Sequence, residues 1–346
     1  NPVWTGMMKT LRASPWLDEL RATAVLAWPL IIAQVAGILL FTTDVVMMGW
    51  LGPSYLAAGT LATSLLHPVF LGGLGTITAT APMIAQAIGA RQFKSVRRTV
   101  RQGFWASAVL FAVIVPILLS AENIFLLLGQ VPETAALAQT YLNFALGATL
   151  PGLLIVGLRS LLQARGDTAV ILWITVIGVL VNALGNYALM FGNFGFPRLE
   201  MVGAGISTSF VNTVMFVLAL AFVVLHRRYK RYMVLVRLWK PDWPRFFDLF
   251  RIGLPIGATL TSEVGMFGVA VIMMGWLGTN EVAAHAIALQ CAAISFMVPL
   301  GLSQATIVRV GTAYGAQNPA AVARAGWTSL GLTLVFMSMT SLLFIL

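Results

Sequence analysis

Charge is scarce in this chain, and acidic charge most of all. Of 346 residues only 9% are charged, and eleven are Asp or Glu. Soluble domains carry about 25% charged residues, so a soluble enzyme or binding module is excluded. There is one cysteine, Cys291, in an apolar stretch, which rules out a disulfide framework and a thiolate metal site. No HExxH, CxxC or phosphate-loop sequence occurs, and no Ser-His-Asp arrangement stands out. Gly72-Gly73-Leu74-Gly75 lies inside an apolar run rather than after a strand, so a nucleotide loop is not indicated. Without a Walker A sequence, ATP cannot power work within this chain.

What is present is apolar sequence, 59% of the chain, in long runs. Barrel strands would be about ten residues long with alternating polarity, which these runs are not. They predict an all-α polytopic membrane protein. We place nine spans near 22–50, 55–88, 99–120, 134–162, 169–194, 201–225, 250–277, 281–315 and 326–346. Several exceed the ~20 residues that a bilayer requires, which implies tilt or extension into water. A short stretch over 122–130 is expected at an interface. Residues 1–21 lack a signal peptide's apolar core and, with Lys9, Arg12, Asp18, Glu19 and Arg21, predict a cytoplasmic lead-in.

The basic residues orient the spans. Of the 21 Lys and Arg, all but Arg198 fall on one side in this topology. They cluster in the loop after span 2 (Arg91, Lys94, Arg97, Arg98, Arg101), at an Arg159/Arg165 loop, and in the longest polar loop. The positive-inside rule makes that side, and the N-terminus, cytoplasmic. The net charge of +10 is then explained by topology rather than by nucleic acid.

The sequence repeats. Met47-Met48-Gly49-Trp50-Leu51-Gly52 returns as Met273-Met274-Gly275-Trp276-Leu277-Gly278, an offset of 226. The same offset pairs Pro29 with Pro255, Gly75 with Gly301, Gly89 with Gly315 and Arg98 with Arg324. One period holds six spans, an even number, so both copies enter the membrane from the same side. That is a parallel repeat about an axis along the membrane normal, one of the repeat types of secondary transporters. The expected division is an N-lobe over 1–225, a cytoplasmic linker over 226–249 and a partial C-lobe of three helices over 250–346. Three further helices are expected beyond Leu346.

Only two acids lie inside apolar spans, Asp44 and Glu263. A carboxylate at mid-bilayer costs about 2.5–3.5 kcal/mol on insertion scales and marks an ion or proton path. The offset pairs Asp44 with Ala270 and Glu263 with Gly37, so neither acid serves the architecture shared by the two copies. The alternative is a protonated structural carboxyl. Asn182 and Asn186, four apart on one helix face, could coordinate Na⁺ or hydrogen-bond a protonated Asp44, or act as interhelical glue. Thr259 precedes Glu263 by one turn, and Glu263 is the candidate Na⁺ ligand. Gln34 and Thr208 are weaker pathway candidates. His67 and His285 could titrate or merely pack.

Asp44 ahead of Met48-Gly49-Trp50-Leu51-Gly52, Asn182 and Asn186 before Tyr187, Gly253-Leu254-Pro255, Glu263, and Arg309-Val310-Gly311 carry a resemblance. The chain resembles the multidrug and toxic compound extrusion (MATE) family, in its NorM-like branch, over about 22–346. The resemblance implies two six-helix lobes around a central cavity. It implies export of organic, often cationic and aromatic compounds in exchange for Na⁺ or H⁺, with no cofactor and no nucleic-acid partner. The protein is expected to be a monomer in the bacterial inner membrane. Asp44 and Glu263 match the family's acids of the first and seventh helices. The DinF-like branch has Asp where this chain has Asn186, which favours the NorM-like reading with a C-lobe cation site. The family's further acid in helix 10 would fall beyond Leu346. Rival readings are a lipid-linked oligosaccharide flippase, whose cavity should be basic, and an integral-membrane enzyme, which would need a catalytic cluster near an interface.

Overall fold

A computed structural model describes residues 15–277 and 279–345, apart from most of the side chains between 268 and 287 and that at 345. Lys9, Arg12 and Gly278 lie outside the described residues, and so do the side chains of Trp276 and Leu277 in the second copy of the repeated motif. Eleven α-helices are described: α1 (Pro15–Leu51), α2 (Pro53–Thr78), α3 (Thr80–Gly89), α4 (Phe93–Leu119), α5 (Ala121–Leu127), α6 (Pro132–Ala164), α7 (Thr168–Phe191), α8 (Glu200–Leu225), α9 (Trp243–Leu277), α10 (Thr279–Gly315) and α11 (Pro319–Ile345). Among the described residues there is no strand.

Eight segments are long and apolar enough to cross a membrane, with α2 and α3 counted as one. The ninth expected span falls on α9, 35 residues long, several of whose side chains lie outside the described residues. Three boundaries differ from the sequence reading. The span expected over 55–88 divides at Ala79, whose N–H bonds back three residues to the Thr76 carbonyl at 3.4 Å. Arg159 lies inside α6 rather than in a loop, and only Arg165 follows the helix. The linker ends at Asp242 rather than 249: Pro244 at the second position of α9 has no N–H to lose there, and the Asp242 carbonyl accepts the Phe246 N–H.

The repeat can be traced in contacts. A Cβ at Gly89 would stand 2.0 Å from the Thr312 carbonyl oxygen, and one at Gly315 would stand 2.0 Å from that of Gln86. Each pair becomes the other when 226 is added to one member and subtracted from the other. The relation recurs deeper in the bundle. A Cβ at Gly75 would lie 2.7 Å from Gly257 Cα, and one at Gly301 would lie 2.8 Å from Ile31 Cα. Reciprocity of this kind is the mark of a two-fold axis.

Helix direction fixes that axis. Helices α1 and α2 are antiparallel, since Gly49 meets Leu56 and Gly59 meets Met48. Helices α2 and α9 are antiparallel too: Thr76 meets Gly253, Gly72 meets Gly257, and the Thr261 hydroxyl donates to the Pro68 carbonyl at 3.3 Å. Therefore α9 runs parallel to α1. The two copies share one direction, and the axis runs along the helices. The architecture is two lobes related by a parallel repeat, of which the second contributes α9–α11.

The linker is fastened to the first lobe. Tyr229 and Tyr232 are buried in a core cluster with residues of α1, α4, α6 and α8. Tyr229 donates its phenolic hydrogen to Asp167, which also pairs with Arg228 at 3.0 Å. Burial and that hydrogen bond push the Tyr229 phenol above its ordinary value. Arg101 and Trp105 of α4 donate to the carbonyls of Arg237 and Leu238 at 3.1 and 2.8 Å.

Candidate functional site

Asp44 lies on α1, near the end that turns at Gly52 into α2. Helix α7 packs along α1, and its 3.6-residue period carries Asn182 and Asn186 to one face. Both amides reach the carboxylate. Asn182 Nδ2 donates to Asp44 Oδ1 at 3.0 Å, and Asn186 Nδ2 donates to the same oxygen at 2.6 Å. Both asparagines are buried, at 2% and 0% exposure, and the Oδ1 of each accepts no hydrogen bond among the described residues. Thr208 of α8 lines the same cavity as Asp44. Its hydroxyl donates to the Ala204 carbonyl at 2.9 Å.

Two amide N–H groups thus meet the carboxylate, and two buried amide oxygens beside it accept nothing among the described residues. Such a set suits a proton on Asp44 or a hard cation beside it. It opens on a cavity of about 250 Å³ inside the first lobe, lined by Asp44, Thr208, Tyr141, His67, Phe70 and Asn212 among others. His67 packs at 4.8 Å between ring centroids on Phe41. No Lys or Arg is among the described lining residues of this cavity.

The sequence candidates separate into two groups. Asp44, Asn182, Asn186 and Thr208 come together. Glu263, Thr259 and Gln34 do not join them. Glu263 is half-buried on α9 without a hydrogen-bond or ion-pair partner among the described residues. Thr259, one turn earlier, donates to the Pro255 carbonyl at 2.9 Å rather than facing the acid in a hydrogen bond. Gln34 precedes Asp44 by ten residues on α1 and lines no part of the cavity. No cluster of three or more His, Cys, Asp or Glu suited to a metal occurs among the described residues. His285 is separate again, with a buried Nε2 that has no partner among the described residues. Tyr141 and Asn212 were not singled out by the sequence. A lone Tyr or Asn in an apolar helix carries no periodic signal, and only the packing of α6 and α8 brings these two to Asp44.

The chain is similar to known proteins along most of its length. The MatE family model matches residues 29–188 and 255–346. A probable multidrug resistance protein NorM of Mesorhizobium japonicum is 44% identical over 333 residues, 96% of this chain and 71% of its own length. The protein of the same name from Brucella suis is 41% identical, over 97% of this chain and 72% of its own. The eukaryotic MATE transporter AtDTX14 shares the fold, with a TM-score of 0.82 at 20% identity, covering 92% of this chain and 70% of that one. With a family model matching most of its length and relatives above 40% identity along nearly all of it, the chain belongs to the MatE family of multi-pass membrane transporters.

Proposed function

We propose that this chain exports organic compounds, drugs among them, in exchange for an inward cation, Na⁺ or H⁺. The observation that carries the reading is the half-buried Asp44 carboxylate, held by Asn182 and Asn186 at the wall of a largely apolar cavity. Substrate cation and driving cation compete for this acid. When a proton or Na⁺ neutralises Asp44, a bound organic cation loses its counter-charge and leaves. A proton would be shared with the free lone pairs of the asparagines; Na⁺ would use the same oxygens.

One inward charge is worth about 2.3 kcal/mol per 100 mV, and 1.4 kcal/mol is tenfold in an equilibrium constant. One ion per cycle therefore supports roughly fifty-fold accumulation outside at that potential. Glu263 serves as a second cation group, in the C-lobe. The two lobes rock about the linker to alternate access. The protein sits in the bacterial inner membrane with its N-terminus and linker in the cytoplasm, and acts as a monomer without a cofactor. The absence of Lys and Arg from the described cavity lining weighs against a lipid-linked oligosaccharide flippase.

Efflux of a fluorescent organic cation from proteoliposomes, with Na⁺ and pH gradients imposed separately, tests this. One gradient should drive uphill export. Export indifferent to both gradients would overturn the reading.

A further inference from the structure

The linker carries features that exchange across the bilayer does not require. Residues 226–240 hold six basic side chains, Arg227, Arg228, Lys230, Arg231, Arg237 and Lys240, and no acidic one. Arg228 is paired with Asp167, and Arg231 lies over the rings of Phe93 and Tyr232 at 4.9 and 5.4 Å. Arg227, Lys230, Arg237 and Lys240 are exposed, and their charges have no acidic partner among the described residues.

The apolar residues of the same segment divide sharply. Tyr232 and Val234 are buried. Leu235, Val236 and Trp239 face outward, Trp239 at 74% exposure. The segment is not free to hide them, because Arg101 and Trp105 hold the carbonyls of Arg237 and Leu238. Next to them an apolar groove of about 420 Å³ runs between α4 and α8, walled by Phe104, Trp105, Phe216, Leu220, Leu235 and Trp239. Leu220 lies five residues before the end of α8, so the groove begins at the linker end of the bundle and runs into its apolar zone.

We propose that the linker is a binding site for an anionic diacyl phospholipid. An acyl chain occupies the groove over Phe104 and Phe216. Trp239 sits at the headgroup boundary, where an amphipathic ring is favoured. Arg227, Lys230, Arg237 and Lys240 surround the phosphate. Charge complementarity selects the occupant: a zwitterionic lipid fills the groove equally well but gains nothing from four uncompensated cations, each worth several-fold in affinity at an anionic surface.

Quenching of Trp239 by brominated acyl chains reads this directly. The full chain is reconstituted in phosphatidylcholine bilayers containing a small, equal mole fraction of brominated phosphatidylglycerol or brominated phosphatidylcholine. The signal of Trp239 is isolated by difference with Trp239→Phe. The anionic lipid should quench it at least about threefold more efficiently. Changing Arg227, Lys230, Arg237 and Lys240 together to Gln should abolish that preference. In a second measurement, native mass spectrometry of detergent-purified protein should show one retained anionic lipid, lost in the four-Gln variant. Equal quenching by both lipids, or a preference that survives the Gln changes, would overturn the proposal.

Discussion

Asn186 donates its amide to Asp44 at 2.6 Å across 142 residues of sequence, while its own Oδ1 is buried and accepts nothing. Asn182 makes the same contact at 3.0 Å. Hydrogen bonds to a charged group contribute about 1.5–3 kcal/mol. Asn186→Leu should therefore slow ion-driven efflux by tenfold or more on the order of that loss, and Asn182→Leu by less, because its contact is longer. Initial rates in proteoliposomes of matched protein content measure both. Equal, wild-type rates would show that the amides are packing groups.

The carbonyls of Gln86 and Thr312 are approached by Gly315 and Gly89 in the same way, as the two-fold relation requires. Gly89→Val and Gly315→Val should then be equally harmful. Overpacking costs about 1–3 kcal/mol, and a side chain here forces the two lobes apart. Gly326→Val, where nothing lies within 4 Å of an added Cβ, is the control and should change little. Thermal unfolding in detergent orders the three variants. A large difference between the first two would argue against the symmetry.

The architecture was legible because its signals are long. Nine apolar stretches and a gapless offset of 226 do not depend on local detail, and the reciprocal contacts of Gly75 and Gly301 follow that offset. Asp44, Asn182 and Asn186 were legible because polar groups inside apolar helices are costly and must find each other. The boundary at Trp243 was missed because Arg245, Asp248 and Arg251 read as loop, although a helix carries them where it leaves the apolar zone. The break at Ala79 has its signal in Pro82, which cannot bond to the Thr78 carbonyl four residues back, and the apolar run on both sides masked it. Thr259 and Glu263 have helical spacing, yet the threonine hydroxyl turns back to its own backbone, a choice that spacing cannot reveal.

Arg309 grips Glu19 with two parallel bonds, Nε to Oε1 at 2.8 Å and Nη2 to Oε2 at 2.7 Å, joining α10 to the start of α1. The fork is specific to Arg. Arg309→Lys should lose most of the stability that Glu19→Gln loses, although it retains the charge. A double-mutant cycle on unfolding midpoints should give a coupling of about 1 kcal/mol, reduced by the partial exposure of Arg309. Additive effects would mean that the pair contributes nothing.

Tyr229 gives a pH signature outside the membrane. Its phenol is held above the ordinary tyrosine value of 10.0, so the neutral form is bound more strongly in the folded protein. That stability is fully present below pH ~10 and is lost as pH rises further, once the unfolded chain ionises and the folded one does not. Unfolding midpoints followed from neutral pH to above 10 should decline more steeply for wild type than for Tyr229→Phe. Parallel curves would show that the hydrogen bond to Asp167 does not anchor the linker.

The Asp44 carboxylate is the group on which ion coupling through the first lobe rests. Asp44→Asn keeps the shape and removes a charge whose burial in the bilayer is costly, so insertion and folding should persist. A neutral amide cannot exchange charge with an incoming cation. Efflux of an organic cation driven by an imposed Na⁺ or pH gradient is measured in proteoliposomes holding equal amounts of folded wild type or Asp44→Asn. The account predicts uphill export by the wild type and none by the variant. Uphill export by Asp44→Asn at the wild-type rate would contradict it.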